Sequence, residues 1–170
     1  MSVPDGEGPV AALPGWFDWR SLQLGLEGGL VATVAMTAFR MPISESLSPS
    51  VHLCAQYLGG EDPSQYRLLA VGLHLLYGMI TGGLFAWGFT DRAPNEPGRA
   101  ESYGLFLGSI YGLCSSLFGI HVVLDRLLGL DLELDEVVIF HASHVIYGAT
   151  LGAWIASEIS YNEERSANAH

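Results

Sequence analysis

Six histidines stand in a chain of 170 residues that otherwise offers few groups able to do chemistry. Two of them open the same short pattern, His74-x-x-Tyr77-Gly78-x-x-x-Gly82 and His144-x-x-Tyr147-Gly148-x-x-x-Gly152. His141 precedes His144 by three residues and so shares its side of a helix, while His121 lies in a separate apolar stretch. Imidazole can ligate a metal, exchange a proton near neutral pH, or bond a neighbouring helix. His74 and His144 could therefore supply two axial nitrogens to a haem, and His141, His144 and His121 could hold zinc or copper. A proton path is another option, from Glu27 towards Arg40 and the histidines with Thr33, Thr37, Thr81, Ser115 and Ser116 as intermediate groups. The plain alternative is packing. Each histidine then bonds Tyr77, Tyr147, Ser143 or a backbone carbonyl across a helix contact, which stabilises a bundle by about 0.6–2 kcal/mol. The candidate polar pocket is accordingly Glu27, Arg40, His74, Tyr77, His121, His141, His144 and Tyr147, with no catalytic or metal set assigned.

These residues sit in segments almost free of charge. No Asp, Glu, Lys or Arg occurs between Arg67 and Asp91, between Glu101 and Asp125, or between Glu136 and Glu158. Each gap matches the roughly 20 residues that cross a hydrocarbon core at about 1.5 Å per residue. Leu68–Phe89, Tyr103–Leu124 and Val137–Ser157 therefore read as transmembrane helices. A fourth, Leu22–Met41, is interrupted by Glu27 and stopped at Pro42. The expected fold is all-α, a four-transmembrane-helix bundle over 21–158 with spans near 22–41, 68–89, 103–124 and 137–157. Residues 1–20 read as a disordered acidic tail followed by an interfacial aromatic segment (Trp16, Phe17, Trp19), and 159–170 as a polar C-terminal tail.

Spans alternate in direction, so His52, His74, His121, His141 and His144 all fall towards one membrane face. Trp87 and Trp154 fall towards the other, in the position of an aromatic belt. Arg20, Arg92, Arg99 and Arg165 lie on the side of the termini and Arg40, Arg67 and Arg126 on the histidine side, which favours cytoplasmic termini. Ser50–Leu58 has the pattern of a short interfacial helix, and Asp125–Glu136 that of an acidic solvated rim. Cys114 is expected as a small buried residue in mid-span.

The two histidine patterns point to a duplicated helical hairpin, two parallel repeats about an axis along the membrane normal. Gly25/Gly29, Gly78/Gly82, Gly104/Gly108/Gly112 and Gly148/Gly152 give every span the four-residue glycine spacing that lets helix backbones approach closely. Duplicated His-x-x-Tyr-Gly-x-x-x-Gly segments on glycine-rich spans resemble a family of small prokaryotic membrane proteins. These are four-helix domains of unknown function, related loosely to an inner-membrane family linked with acid tolerance. The lysine-free, acidic surface is similar to that of proteins from salt-adapted archaea. The resemblance covers roughly Leu24–Ile155; it implies the four-helix fold and brings no catalytic residues.

Composition narrows the function. Eighteen acidic residues against seven basic ones exclude a nucleic-acid partner, although 49% of the residues are hydrophobic and mean hydropathy is +0.32. The chain contains no phosphate-binding loop, no His-Glu-x-x-His and no Gly-x-Ser-x-Gly. The expectation is a multi-pass plasma-membrane protein, not an enzyme and without a cofactor, structural or accessory in role. Its expected partners are the lipid bilayer and further copies or a larger membrane complex. A proton-linked or small-solute permease is the first alternative, and a haem- or metal-binding electron-transfer subunit the second.

Overall fold

The structure, a computed structural model, describes residues 18–43, 49–59, 62–94 and 96–168. The N-terminal tail with Trp16 and Phe17, and His170, lie outside the described residues. Within them the chain is all-helical: α1 (Trp19–Arg40), α2 (Pro49–Leu58), α3 (Arg67–Phe89), α4 (Pro97–Phe118) and α5 (Leu134–Ala167), with no strand. Four stretches, Trp19–Arg40, Pro63–Phe89, Gly98–Leu128 and Leu134–Tyr161, are long and apolar enough to cross a membrane. α2 is the expected short helix.

Local chemistry sets the ends. The Asp18 carboxylate accepts the Arg20 and Ser21 amides at 3.0 and 3.2 Å and also the Ser21 hydroxyl, so it caps α1. The Ser21 hydroxyl foremost, and the Arg20 amide next, hold that carboxyl below its usual range. Pro97 opens α4 where a missing N–H is harmless. Beyond Phe118 the winding loosens, and Gly119–Leu128 is π-helical. Gly129 ends it at φ 62°, a left-handed value that a side chain would oppose. α5 differs from expectation at its C-terminal end. Its 34 residues run about 50 Å against a hydrocarbon core of about 30 Å, so the polar segment from 159 onward continues the helix to Ala167.

α1 lies along α3 and α4 along α5; α1 also packs on α5, whereas α3 and α4 stand further apart and meet through Phe85, Phe89, Tyr103 and Tyr111. Glycines make both close pairs. Gly25 meets Gly82 and Gly83, and Gly29 meets Gly78. In the other pair Gly104 meets Gly152, Gly108 meets Gly148, and Gly112 meets the His144 carbonyl. A Cβ on Gly25 would stand 2.5 Å from the Gly82 oxygen and 2.6 Å from the Gly83 Cα, distances that carbon does not tolerate. The half of the bundle nearer the termini is filled by Ala32, Ala86, Leu151, Ile155 and Ala156, all wholly buried, with Phe85 stacked 5.3 Å from Phe89.

Two expectations are corrected. Cys114 is exposed on the outer face of α4, while Cys54 is the buried thiol, packed with Val51 and Ala70 where α2 lies on α3. Cys114 and the lipid-facing residues are equally apolar, so composition could not choose its face. Trp87 is exposed as a belt residue should be, but Trp154 turns inward over Gly28, and its Nε1 is buried with no partner among the described residues.

Gly148→Ala should lower stability by about 1–3 kcal/mol, because the new methyl group meets the Gly108 carbonyl and stands 2.8 Å from the Gly112 nitrogen. Gly72→Ala and Gly88→Ala meet nothing within 4 Å and should leave stability unchanged or slightly raised. Unfolding of the three variants in detergent, side by side, separates close packing from glycine content.

Candidate functional site

Where α3 and α4 part, the bundle opens into a chamber of about 850 Å³ at the histidine end. Its walls come from the last turns of α1, from α2, from the first half of α3, from the π-helical segment and from the start of α5. Most of the surface is aliphatic: Val34, Val51, Val71, Leu73, Val123, Leu124 and Leu127 all contribute. The polar groups facing it are Arg40, Ser50, Arg67, His74, Tyr77, Ser115, Ser143 and His144, with Thr37 at the edge.

Below the chamber lies a void of about 10 Å³ between Thr33, His74, Tyr77, Gly78, Thr81, Ser115, His144 and Tyr147. That is room for about one water molecule. Its floor is tied by hydrogen bonds. The Tyr147 hydroxyl donates across to the Gly78 carbonyl at 2.7 Å, and the Thr81 hydroxyl lies 2.9 Å from the same phenol oxygen. The Tyr111 hydroxyl donates to the Thr81 carbonyl at 2.8 Å. Three helices are thereby joined at one level. Thr81 also reaches its own Tyr77 and Gly78 carbonyls at 2.9 and 3.2 Å, so its single proton serves one of three acceptors.

Of the candidate residues, Arg40, His74, Tyr77 and His144 line the chamber and Tyr147 its floor. The His144 Nδ1 lies 2.8 Å from the Phe140 carbonyl. A carbonyl only accepts, so Nδ1 carries the hydrogen and Nε2 is left as an acceptor. The ring also lies against Phe140, centroids 4.3 Å apart. His74 makes no hydrogen bond to a described residue, and the Tyr77 hydroxyl makes none either. The Arg40 guanidinium is close enough to interact electrostatically with both His74 and His144, and with Glu136.

The other three candidates fall elsewhere. His141 bonds through Nδ1 to Ser116 on α4, which is an interhelical tie outside the chamber. His121 is exposed on the π-helical segment and Glu27 on the far half of α1, and neither lines the space. On the path considered from Glu27, Thr33 and Thr37 donate to their own helix at the Gly29 and Thr33 carbonyls, each at 2.7 Å. No group of three or more His, Cys, Asp or Glu converges among the described residues, so His121, His141 and His144 do not form a metal site. The void of about 10 Å³ between His74 and His144 is too small for a porphyrin, while both histidines also line the larger chamber.

Tyr111 was not among the candidates, yet it helps to close the floor. A signal for it existed, since Tyr111-Gly112 repeats the Tyr-Gly dipeptide of Tyr77-Gly78 and Tyr147-Gly148. The separation of α3 from α4, which creates the chamber, had no counterpart in the sequence. Comparison of the chain with known protein families, with curated proteins and with solved structures finds no match in any of the three.

Tyr147→Phe removes the bond to Gly78 and should cost about 0.6–2 kcal/mol. Tyr77→Phe removes a hydroxyl with no described protein partner and should be close to neutral. Equal losses in detergent unfolding would contradict this assignment of the floor.

Proposed function

We propose that the protein is a multi-pass plasma-membrane protein without catalytic chemistry of its own, an accessory or structural subunit whose bundle frames a blind chamber at one membrane face. The observation that carries this reading is the contrast between the two halves. A space of about 850 Å³ at the histidine end stops at the Tyr147–Gly78–Thr81–Tyr111 floor. Beyond that floor Ala32, Ala86, Leu151 and Ile155 are wholly buried. A permease would have to open this half on every cycle, against backbone contacts that admit no methyl group. An electron-transfer subunit would have to seat its haem in the chamber, since the void between the two histidines holds about one water.

The same reading takes the bundle as a duplicated hairpin. Gly25–Gly82 and Gly29–Gly78 in the α1/α3 pair occupy the same steps as Gly104–Gly152 and Gly108–Gly148 in the α4/α5 pair, which supports that origin. The repeat is not kept in the cross-contacts, because α1 meets α5 while α3 leaves α4. One copy's Tyr-Gly step has become a floor and the other a chamber wall. Exposed aliphatic residues such as Leu68, Leu76, Ile80 and Leu84 on α3 would face lipid or a neighbouring subunit.

The full-length chain reconstituted into vesicles loaded with a pH-sensitive dye is expected to pass no protons under an imposed gradient. A flux that disappears in His74→Ala/His144→Ala, with fold and oligomeric state retained, would replace this reading with the permease.

A further inference from the structure

The charges around the chamber are not those of the chain. Acidic residues outnumber arginines 18 to 7, yet among the described residues the charged side chains that line the space are Arg40 and Arg67, with no carboxylate. Glu136 interacts with Arg40 and Asp62 with Arg67, but both carboxylates lie outside the lining. Arg40 closes α1 and Arg67 opens α3, so both stand at the same end of the bundle, at the level where headgroups meet the hydrocarbon. Arg40 is the one that reaches inward, to the two histidines.

The inner polar cluster asks for a particular head. Arg40 supplies positive charge. His144, with Nδ1 tied to the Phe140 carbonyl, presents an Nε2 that accepts a proton. A carboxyl group meets both needs at once: one oxygen pairs with the guanidinium, and the acid proton is shared with the imidazole nitrogen. An alcohol can donate to the imidazole and accept from the guanidinium, but it brings no negative charge to set against Arg40. A size of about 850 Å³ with mostly aliphatic walls suits a long chain behind that head, since small-molecule sites of about 300–1,000 Å³ are typically apolar with a few converging polar groups.

We propose that the chamber binds a single-chain amphiphilic acid, its carboxyl group at Arg40, His74 and His144 and its hydrocarbon chain along Val71, Val123 and Leu127. This rests on the blind chamber described above and not on the absence of transport, so a flux measurement and a binding measurement can fail separately.

The test is equilibrium binding of labelled palmitate, hexadecanol and acetate to the full-length chain in detergent. Palmitate should bind with one molecule per chain, hexadecanol at least about tenfold more weakly, and acetate not at all. Arg40→Gln should weaken palmitate about tenfold while leaving hexadecanol unchanged, with Arg40→Lys in between. Val123→Trp, which fills the aliphatic wall, should abolish binding of both. Equal affinity for palmitate and hexadecanol in the unmodified chain overturns the carboxyl assignment. Palmitate binding that survives Val123→Trp places the ligand on the outer lipid-facing surface and overturns the site. Should Arg40→Gln fail to fold, the comparison of heads on the unmodified chain and the Val123→Trp result still decide.

Discussion

Backbone touching backbone is the constraint on which the rest of this molecule depends. Between lipid-facing helices there is no hydrophobic force to gain, so cohesion comes from close van der Waals contact and a few polar bonds. Glycines at Gly25, Gly29, Gly78 and Gly82 in one pair, and at Gly104, Gly108, Gly148 and Gly152 in the other, bring carbonyl oxygens within reach of the facing chain. Each pair is therefore complete in itself. What remains is the seam between pairs: it closes along α1 and α5, and between α3 and α4 only through side chains such as Tyr111 on Thr81 and Phe85.

That unequal closure explains why two similar segments behave differently. On α5, Tyr147 points into the α1/α3 pair and finds the Gly78 carbonyl, which glycine leaves uncovered. On α3, Tyr77 looks into the gap left by α4 and is 44% exposed. His144 is bonded to its own helix and buried, while His74 lines the chamber with no described hydrogen-bond partner. One asymmetry in helix contact divides the polar residues into a sealed floor and an available wall.

The chamber and the acidity of the chain are consequently separate matters. Carboxylates populate the helix ends and connections, where Asp18 and Asp62 act as caps. Among the described charged residues, only Arg40 and Arg67 line the interior space. The loosened winding of Gly119–Leu128 adds to this division, since a π-helical wall is wider and carries its aliphatic side chains Val123, Leu124 and Leu127 into the chamber while Asp125 and Arg126 stay exposed.

The sequence by itself determined the all-helical class, the four apolar stretches and the faces on which they pack. It could do so because charge exclusion over a membrane-length segment and glycines at four-residue spacing are properties of one helix at a time. The short helix α2, and the placing of His74, His144, Arg40 and both tyrosines towards one end of the bundle, were legible for the same reason. Only the tertiary structure decided which polar residues share a space. It removed His121, Glu27 and His141, added Tyr111 and Ser115, and turned Trp154 inward and Cys114 outward. Those outcomes follow from which helix pair meets which, and neighbours across a seam are not written in the periodicity of either helix. In a segment apolar on every side, periodicity has no face to report, and contact between helices settles what a side chain can touch.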